Sequence, residues 1–155
     1  MAKLADLKLA YRAYMRGYSY RRIDWTPGAM LSVPLAEARI CVVTTAGFTL
    51  PGQVPFDATA RGGDWSFREI PADADVRRLL TSHKSDAFDR TGIDADANLA
   101  LPLDRLRERR GRLATVHFSF MGSITAPARL MDTSGPEVVR RVAESGADAV
   151  LLTPV

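Results

Sequence analysis

The chain has 155 residues, 46% of them hydrophobic and 25% charged, the balance of a soluble globular protein large enough to bury a core. A net charge of +3 is too small to imply nucleic acid by itself, and no apolar run approaches the roughly 20 residues that span a bilayer. The single cysteine, Cys41, excludes an internal disulfide and a cysteine metal cluster, and two histidines, His83 and His117, are too few for a histidine zinc site without carboxylates.

Residues 3 to about 18 predict an amphipathic helix, with Leu4, Leu7, Tyr11, Tyr14, Met15 and Tyr18 three and four apart. Lys3, Asp6, Lys8 and Arg12 interrupt any signal-peptide pattern, so a cytoplasmic protein is expected. Arg12, Arg16, Arg21 and Arg22 make the region basic, but the charges are few. The tyrosines are expected to pack on the domain or on a second subunit, not on RNA or lipid. Trp25-Thr26-Pro27-Gly28 reads as a turn, and Pro34 as a break.

Ala38 to Thr45 is the clearest strand, continuously apolar and β-branched as a parallel strand covered on both faces would be. Cys41, inside it, reads as a small buried hydrophobe. Ala46-Gly47 ends the strand, and Phe48 to Gly63 reads as a long loop with Asp57 its one acidic side chain. Neither GxGxxG nor a P-loop is present to support a nucleotide site. Trp65 to Ile70 alternates like a short strand, and Asp73 to Leu80 predicts a two-turn helix.

Ser82, His83, Ser85, Asp86, Asp89, Asp94 and Asp96 form the densest run of potentially reactive groups. A histidine among carboxylates can act as acid or base or bind a metal, although such runs are more often loops with local Asx turns. Leu103 to Arg110 predicts a surface helix, and Leu113 to Phe120 a strand with His117 facing opposite to Val116 and Phe118, an interior histidine more than a ligand. Met121-Gly122-Ser123 is a tight exit whose amides could bind an anion if a helix started nearby.

Ser134 and Glu137 have capping-box spacing, Val138, Val139, Val142 and Ala143 offer one apolar face, and Gly146 sits where a helix-ending glycine belongs. Ala149 to Leu152 then reads as a buried strand running into Thr153-Pro154-Val155. The pattern predicts an α/β fold. Its sheet is three-layered and mainly parallel with flanking helices, a Rossmann or flavodoxin-like half, and Ile40–Thr44, Thr115–Ser119 and Ala149–Leu152 are its central neighbours. Ligands in such sheets sit beyond the carboxyl ends of the strands. Thr44, Thr45, Ser82, His83, Ser119, Met121, Thr153 and Pro154, each ending or following a strand, are therefore the candidate binding residues, with no metal ligand and no cofactor identifiable.

Six segments stand in an order that carries a resemblance: Val42–Gly47, Gly63–Pro71, Ser82-His83, Leu101–Leu106, Phe118–Gly122 and Leu151–Val155. Together they resemble the selenoprotein B family of glycine, sarcosine, betaine and D-proline reductases, more closely its short bacterial members. The resemblance implies an oxidoreductase in which Thr-Pro-Val is followed by selenocysteine or cysteine, with a second cysteine three residues on. The catalytic residue, a selenocysteine in the full-length protein, is then expected immediately after Val155, this chain ending where its UGA codon is read as stop. It also implies a small-molecule substrate and a thioredoxin-like or other thiol reductant.

The expected organisation is an N-terminal amphipathic helix and linker over 1–37, then a reductase-family α/β domain over 38–155, truncated at its C-terminus. A homo-oligomer through the N-terminal helix is the further expectation, with neither nucleic acid nor membrane as partner. The competing reading is a non-catalytic α/β accessory or small-ligand-binding subunit complete at Val155.

Overall fold

The computed structural model describes residues 5, 8–19, 28–85, 88–109 and 111–155. The chain divides into two compact units, 1–30 and 31–155. In the first, the helix α1 spans Leu9–Gly17, shorter than the periodicity predicts, with Tyr14 and Tyr18 one turn apart and their rings 5.7 Å from each other. Leu4, Leu7, Arg21, Arg22 and the predicted turn at Trp25-Thr26-Pro27 lie outside the described residues. No helix among the described residues is long and apolar enough to cross a membrane.

The second unit is α/β and is built on β1 (Arg39–Thr44). On one side β1 pairs in parallel with β5 (Arg112–Leu113) and β6 (Val116–Phe120), and on the other with β7 (Ala149–Thr153) over its whole length. Outside β6 runs β3 (Phe67–Pro71), antiparallel to it and the one such strand of this sheet among the described residues. The parallel pairing follows from the connections. The helix α4 (Gly135–Glu144) returns the chain from the end of β6 to the start of β7, a strand–helix–strand crossover.

Each face of the sheet has its own core. Val42, Ile70, Val76, Ile93, Leu101 and Leu103 cluster on one, beneath α2 (Thr91–Ala95) and α3 (Leu103–Glu108). Cys41, Ala114, Phe118, Phe120 and Val138 cluster on the other, beneath α4. Alternation along β1 sends Cys41 and Val42 to opposite faces, which is why an unbroken apolar run was needed there. Arg141 of α4 pairs with Glu69 of β3 and lies over the Phe67 ring, 5.6 Å to its centre, fixing α4 along the sheet.

Several expectations are corrected. Leu113–Phe120 is two strands, because the register against β1 slips by two residues between Ile40↔Leu113 and Val43↔Phe118. The His117 ring fills the slip: its Nδ1 accepts the Val42 N–H at 3.0 Å, where a backbone carbonyl would otherwise stand. Asp73–Leu80 is a single 3-10 turn, Val76–Arg78, capped by Asp75. Leu80-Thr81 (β4) leaves it to pair antiparallel with Phe48-Thr49 (β2), so the predicted loop also begins with a short strand.

Ser134 does not cap a helix. Helical structure begins at Ala128, and the Ser134 hydroxyl donates to Trp65 O at 2.6 Å. Glu137 turns forward to Arg140 and Arg141, whose hydrogen bonds hold its carboxyl down to about 2. Val139 (71% exposed) and Ala143 face solvent, leaving Val138 and Val142 to pack. Finally, β7 is paired on one edge only among the described residues and is not buried: Val150 is 44% and Leu152 68% exposed.

His117 is fully buried, and desolvation first, then the Arg107 charge, pushes its pKa down to about 4. The unfolded chain, with an ordinary histidine, therefore binds the proton first as pH falls. This contribution is complete above about pH 6.5 and is lost as pH drops towards 4, roughly 3 kcal/mol at full extent. Urea unfolding at pH 7 and pH 5 should show this loss, and a His117→Asn variant should be less stable at pH 7 yet show a flatter dependence between the two.

Candidate functional site

Because β1, β6 and β7 run parallel, their carboxyl ends form one edge, and two left-handed glycines shape it. Gly47 (φ 70°), just beyond β1, donates to Phe120 O and accepts from Ser82 N, both at 2.8 Å. A Cβ there would lie 2.7 Å from His83 N. Gly122 (φ 75°), just beyond β6, is closer still: a Cβ would stand 2.3 Å from His83 Nε2 and 2.4 Å from Thr45 O. Only glycine permits both the φ and the approach. The β2–β4 pairing carries Ser82 and His83 from a distant part of the chain across these two tips.

The Thr153–Val155 segment is bound to the same edge by hydroxyls. Thr44 Oγ1 donates to Thr153 O (3.3 Å), and Thr45 N donates to the same oxygen (3.3 Å). Thr45 Oγ1 accepts from Val155 N (3.0 Å) and lies 3.4 Å from Val155 O. Thr153 Oγ1 in turn donates to Ala100 O at 2.6 Å. Two successive threonines on β1 thus hold the end of β7 in register, a structural use of residues picked as binding candidates.

All eight candidates, Thr44, Thr45, Ser82, His83, Ser119, Met121, Thr153 and Pro154, lie at or next to this edge, but they differ in access. Thr44, Ser119 and Met121 are fully buried, with the Ser119 hydroxyl lacking a hydrogen-bond partner. Open space is lined instead by His83, Ser85, Phe88, Ser123 and Val155, in a cavity of about 320 Å³. Beside it a cavity of about 350 Å³ is lined by Val43, Thr45, Phe120, Gly122, Ser123, Ile124 and Leu130. Ser123, shared by both and held at φ 49°, was not singled out as a site residue. A left-handed non-glycine residue is unusual, but nothing in Met-Gly-Ser marks which residue takes it.

Within the first cavity the His83 ring stacks near Phe88, 4.5 Å between centres, and Nδ1 accepts the Ser85 N–H at 3.0 Å. Desolvation lowers the His83 pKa most and the Arg90 charge lowers it further, while the Val155 backbone opposes them. Among the described residues the neighbouring carboxylates do not gather around it. Asp89 accepts from Thr91, Asp94 pairs with Arg90 at 3.7 Å, and Asp96 caps the turn at Asn98, so the acidic run is local turn chemistry. Asp86 lies outside the described residues. The helical structure after β6 starts at Ala128, not at the Met121–Ser123 turn itself.

Asp57, in the long loop, accepts from Thr59 and lines a wider cleft of about 690 Å³ with Arg61, Asp64, Trp65 and Arg129. Gly62 and Gly63 let this loop close on Ala126 and Ile124, where Gly62 O accepts from Thr125 N and Ala126 N. The loop is thereby attached to the segment that follows β6.

Residues 4–155 match the family described as glycine/sarcosine/betaine reductase selenoprotein B. The chain belongs to this family. Its relatives include the D-proline reductase subunit gamma of Acetoanaerobium sticklandii, 34% identical over 134 residues that make up 83% of this chain and 52% of the relative. A second is the betaine reductase complex component B subunit beta of Peptoclostridium acidaminophilum, 28% identical over 77% of this chain and 28% of the relative. The chain therefore spans about half the length of the first and about a quarter of the second. No solved structure matches. This selenoprotein B member thus has at its strand tips four of the six segments on which the resemblance rested, Val42–Gly47, Ser82-His83, Phe118–Gly122 and Leu151–Val155.

Gly122→Ala should be more costly than Gly52→Ala. Both glycines have left-handed φ, 75° and 89°, but a Cβ at Gly52 meets nothing within 4 Å. The expected losses are about 1 kcal/mol for Gly52→Ala and at least about 2 kcal/mol for Gly122→Ala, read from urea midpoints. Adding His83→Ala to Gly122→Ala should recover part of the excess, since the two positions are in contact.

Proposed function

We propose that this protein works as a selenol- or thiol-dependent reductase of the selenoprotein B type, its reactive residue seated at the sheet edge beside Val155. The observation that carries this reading is the threonine clamp. Thr44 and Thr45 hold Thr153–Val155 against β1 and deliver the Val155 backbone to the wall of the cavity that His83, Phe88 and Ser123 share. Family membership supplies the reaction type.

A selenolate or thiolate placed there, with a second thiol three residues on, would supply the nucleophile and the two electrons of the reduction. The residues of this chain do the rest. Strand β1 gives the seat its rigidity through hydrogen bonds on both edges. Phe88 and the apolar lining of the second cavity, Val43, Phe120, Ile124 and Leu130, give a small substrate an apolar surface to pack against.

The relatives are named for D-proline and betaine, so a small amino acid or amino-acid derivative is the substrate class we assign, and each cavity has room for one. The reductant is a thioredoxin-like or other dithiol, and relatives named as subunits favour work inside a complex. Self-association through α1 belongs to the same reading, because its tyrosine stripe is an interface composition.

Cys41 is not the reactive thiol. It is fully buried, its Sγ lies 3.4 Å from Val116 O, and burial pushes its pKa up to about 11. The 155-residue polypeptide should therefore show no thiol-dependent reduction of proline or betaine, and Cys41 should resist Ellman's reagent until the protein is unfolded. Cys41-dependent turnover would overturn this assignment. The coding sequence beyond codon 155 decides the wider proposal: an in-frame UGA or cysteine codon, then a cysteine codon three residues on, is expected. A UAA or UAG, or a reading frame lacking that cysteine, would sink it in favour of an accessory subunit.

A further inference from the structure

We propose that the cleft between the 57–66 loop and the 126–129 segment is a second small-molecule site. It takes a small organic carboxylate, with Arg61 and Arg129 as the anion partners and Trp65 as an apolar wall. The cleft has a volume of about 690 Å³ and shares no lining residue with the two cavities at the strand tips. Nothing in it depends on the reductase reading above. Three observations carry the site.

The cations are uncommitted. Arg61 lines the cleft from the loop and Arg129 from the facing segment, and among the described residues neither guanidinium has a hydrogen bond or an ion pair. Other arginines of this unit are engaged: Arg68 donates to Val54 O and Pro55 O, and Arg107 and Arg141 pair with Asp104 and Glu69.

The carboxylates that could neutralise these cations are tied into the wall. Asp64 accepts from Ser66 N (2.8 Å), Ser66 Oγ (2.5 Å) and Asp57 N (2.9 Å), and Asp57 accepts from Thr59 Oγ1 (2.6 Å) and Thr59 N (2.8 Å). Lys84 donates to Ala60 O and Arg68 to Ser66 Oγ, so positive groups outnumber negative ones around the cleft. A concave surface with such an excess concentrates anions.

The walls are preorganised. Gly62 and Gly63 have left-handed φ of 82° and 100°, and a Cβ on them would stand 2.5 Å from Ala126 Cβ and 2.8 Å from Ile124 Cα. Gly62 O accepts from Thr125 N and Ala126 N, and Ser134 Oγ donates to Trp65 O. The two arginines therefore stand on segments already joined to each other, which lowers the ordering cost of binding.

The lining selects the ligand. A guanidinium presents paired N–H donors that match an anion with two oxygens. Ala60, Trp65, Ala126 and Ala128 add apolar surface, which favours an anion with a short carbon body over inorganic phosphate.

The test uses the 155-residue protein carrying Trp25→Phe, which leaves Trp65 as its one tryptophan. The Trp65 indole N–H signal is followed in proton–nitrogen spectra as sodium propionate, proline or sodium phosphate is added at constant ionic strength. Propionate, proline or both should shift it saturably, the pattern telling whether the ligand also carries an amine. Arg61→Gln and Arg129→Gln should each weaken that binding about tenfold. Both side chains are exposed and unpartnered, so the circular dichroism of each variant should stay native. Saturation by phosphate but by neither carboxylate overturns the inference. So does a signal that fails to saturate with either carboxylate up to about 100 mM, or binding unchanged in both arginine variants. None of these outcomes bears on the reductase reading, which the codons after Val155 decide.

Discussion

The hydrogen bonding of β1 on both of its edges is the constraint from which the rest of the 31–155 unit follows. Its residues are apolar on both faces, so it must be covered twice, and it can only be covered twice in the middle of a sheet. Once β1 is central, β6 and β7 reach it through crossovers and must run parallel to it. Three carboxyl ends then share one edge. The fit is not uniform: where the register against β5 and β6 slips by two residues, Val42 N–H would be orphaned in the core. His117 closes that gap at the cost of burying an imidazole whose Nε2 has no hydrogen-bond partner. A buried amide left unpaired would cost about 1–3 kcal/mol, which is the reason to tolerate a polar ring there.

The same edge shows how a site is assembled from parts distant in sequence. Gly47 and Gly122 end two strands with left-handed turns, and both have their Cβ space occupied by the Ser82-His83 backbone and ring. The loop bearing Gly62 and Gly63 is fitted against residues 124–126 in the same manner. Backbone approach through glycine, more than side-chain packing, builds this end of the molecule. Such contacts leave little slack, because interiors are close-packed and the neighbours are backbone atoms.

Strand β7 is the counterpoint. It joins β1 over five residue pairs, yet its apolar side chains are largely exposed, so hydrogen bonds and the Thr44–Thr45 clamp hold it more than burial does. Local stability follows buried apolar area, which places this strand at the less protected end of the sheet. An edge with an apolar face and unpaired backbone groups also favours pairing with further chain.

The sequence by itself determined the class of the fold and that the candidate residues would meet at one edge of its sheet. The unbroken apolar run Ala38–Thr45, the crossover ending at Gly146 and the tips at Thr45, Phe120 and Thr153 follow from periodicity, glycine placement and the handedness of parallel connections. These are local or near-local rules. Tertiary structure alone decided what each tip residue does. Thr44 and Thr45 became clamps because β7 lies beside them, and Ser134 bonds Trp65 because the helix starts seven residues earlier than its cap pattern indicates. Asp73–Leu80 gave up a helix because Leu80-Thr81 pairs with Phe48-Thr49. Asp89, Asp94 and Asp96 stand apart from His83 because each finds a nearer partner. Burial and hydrogen-bond partners depend on which segments meet in space, and no spacing along the chain encodes that meeting.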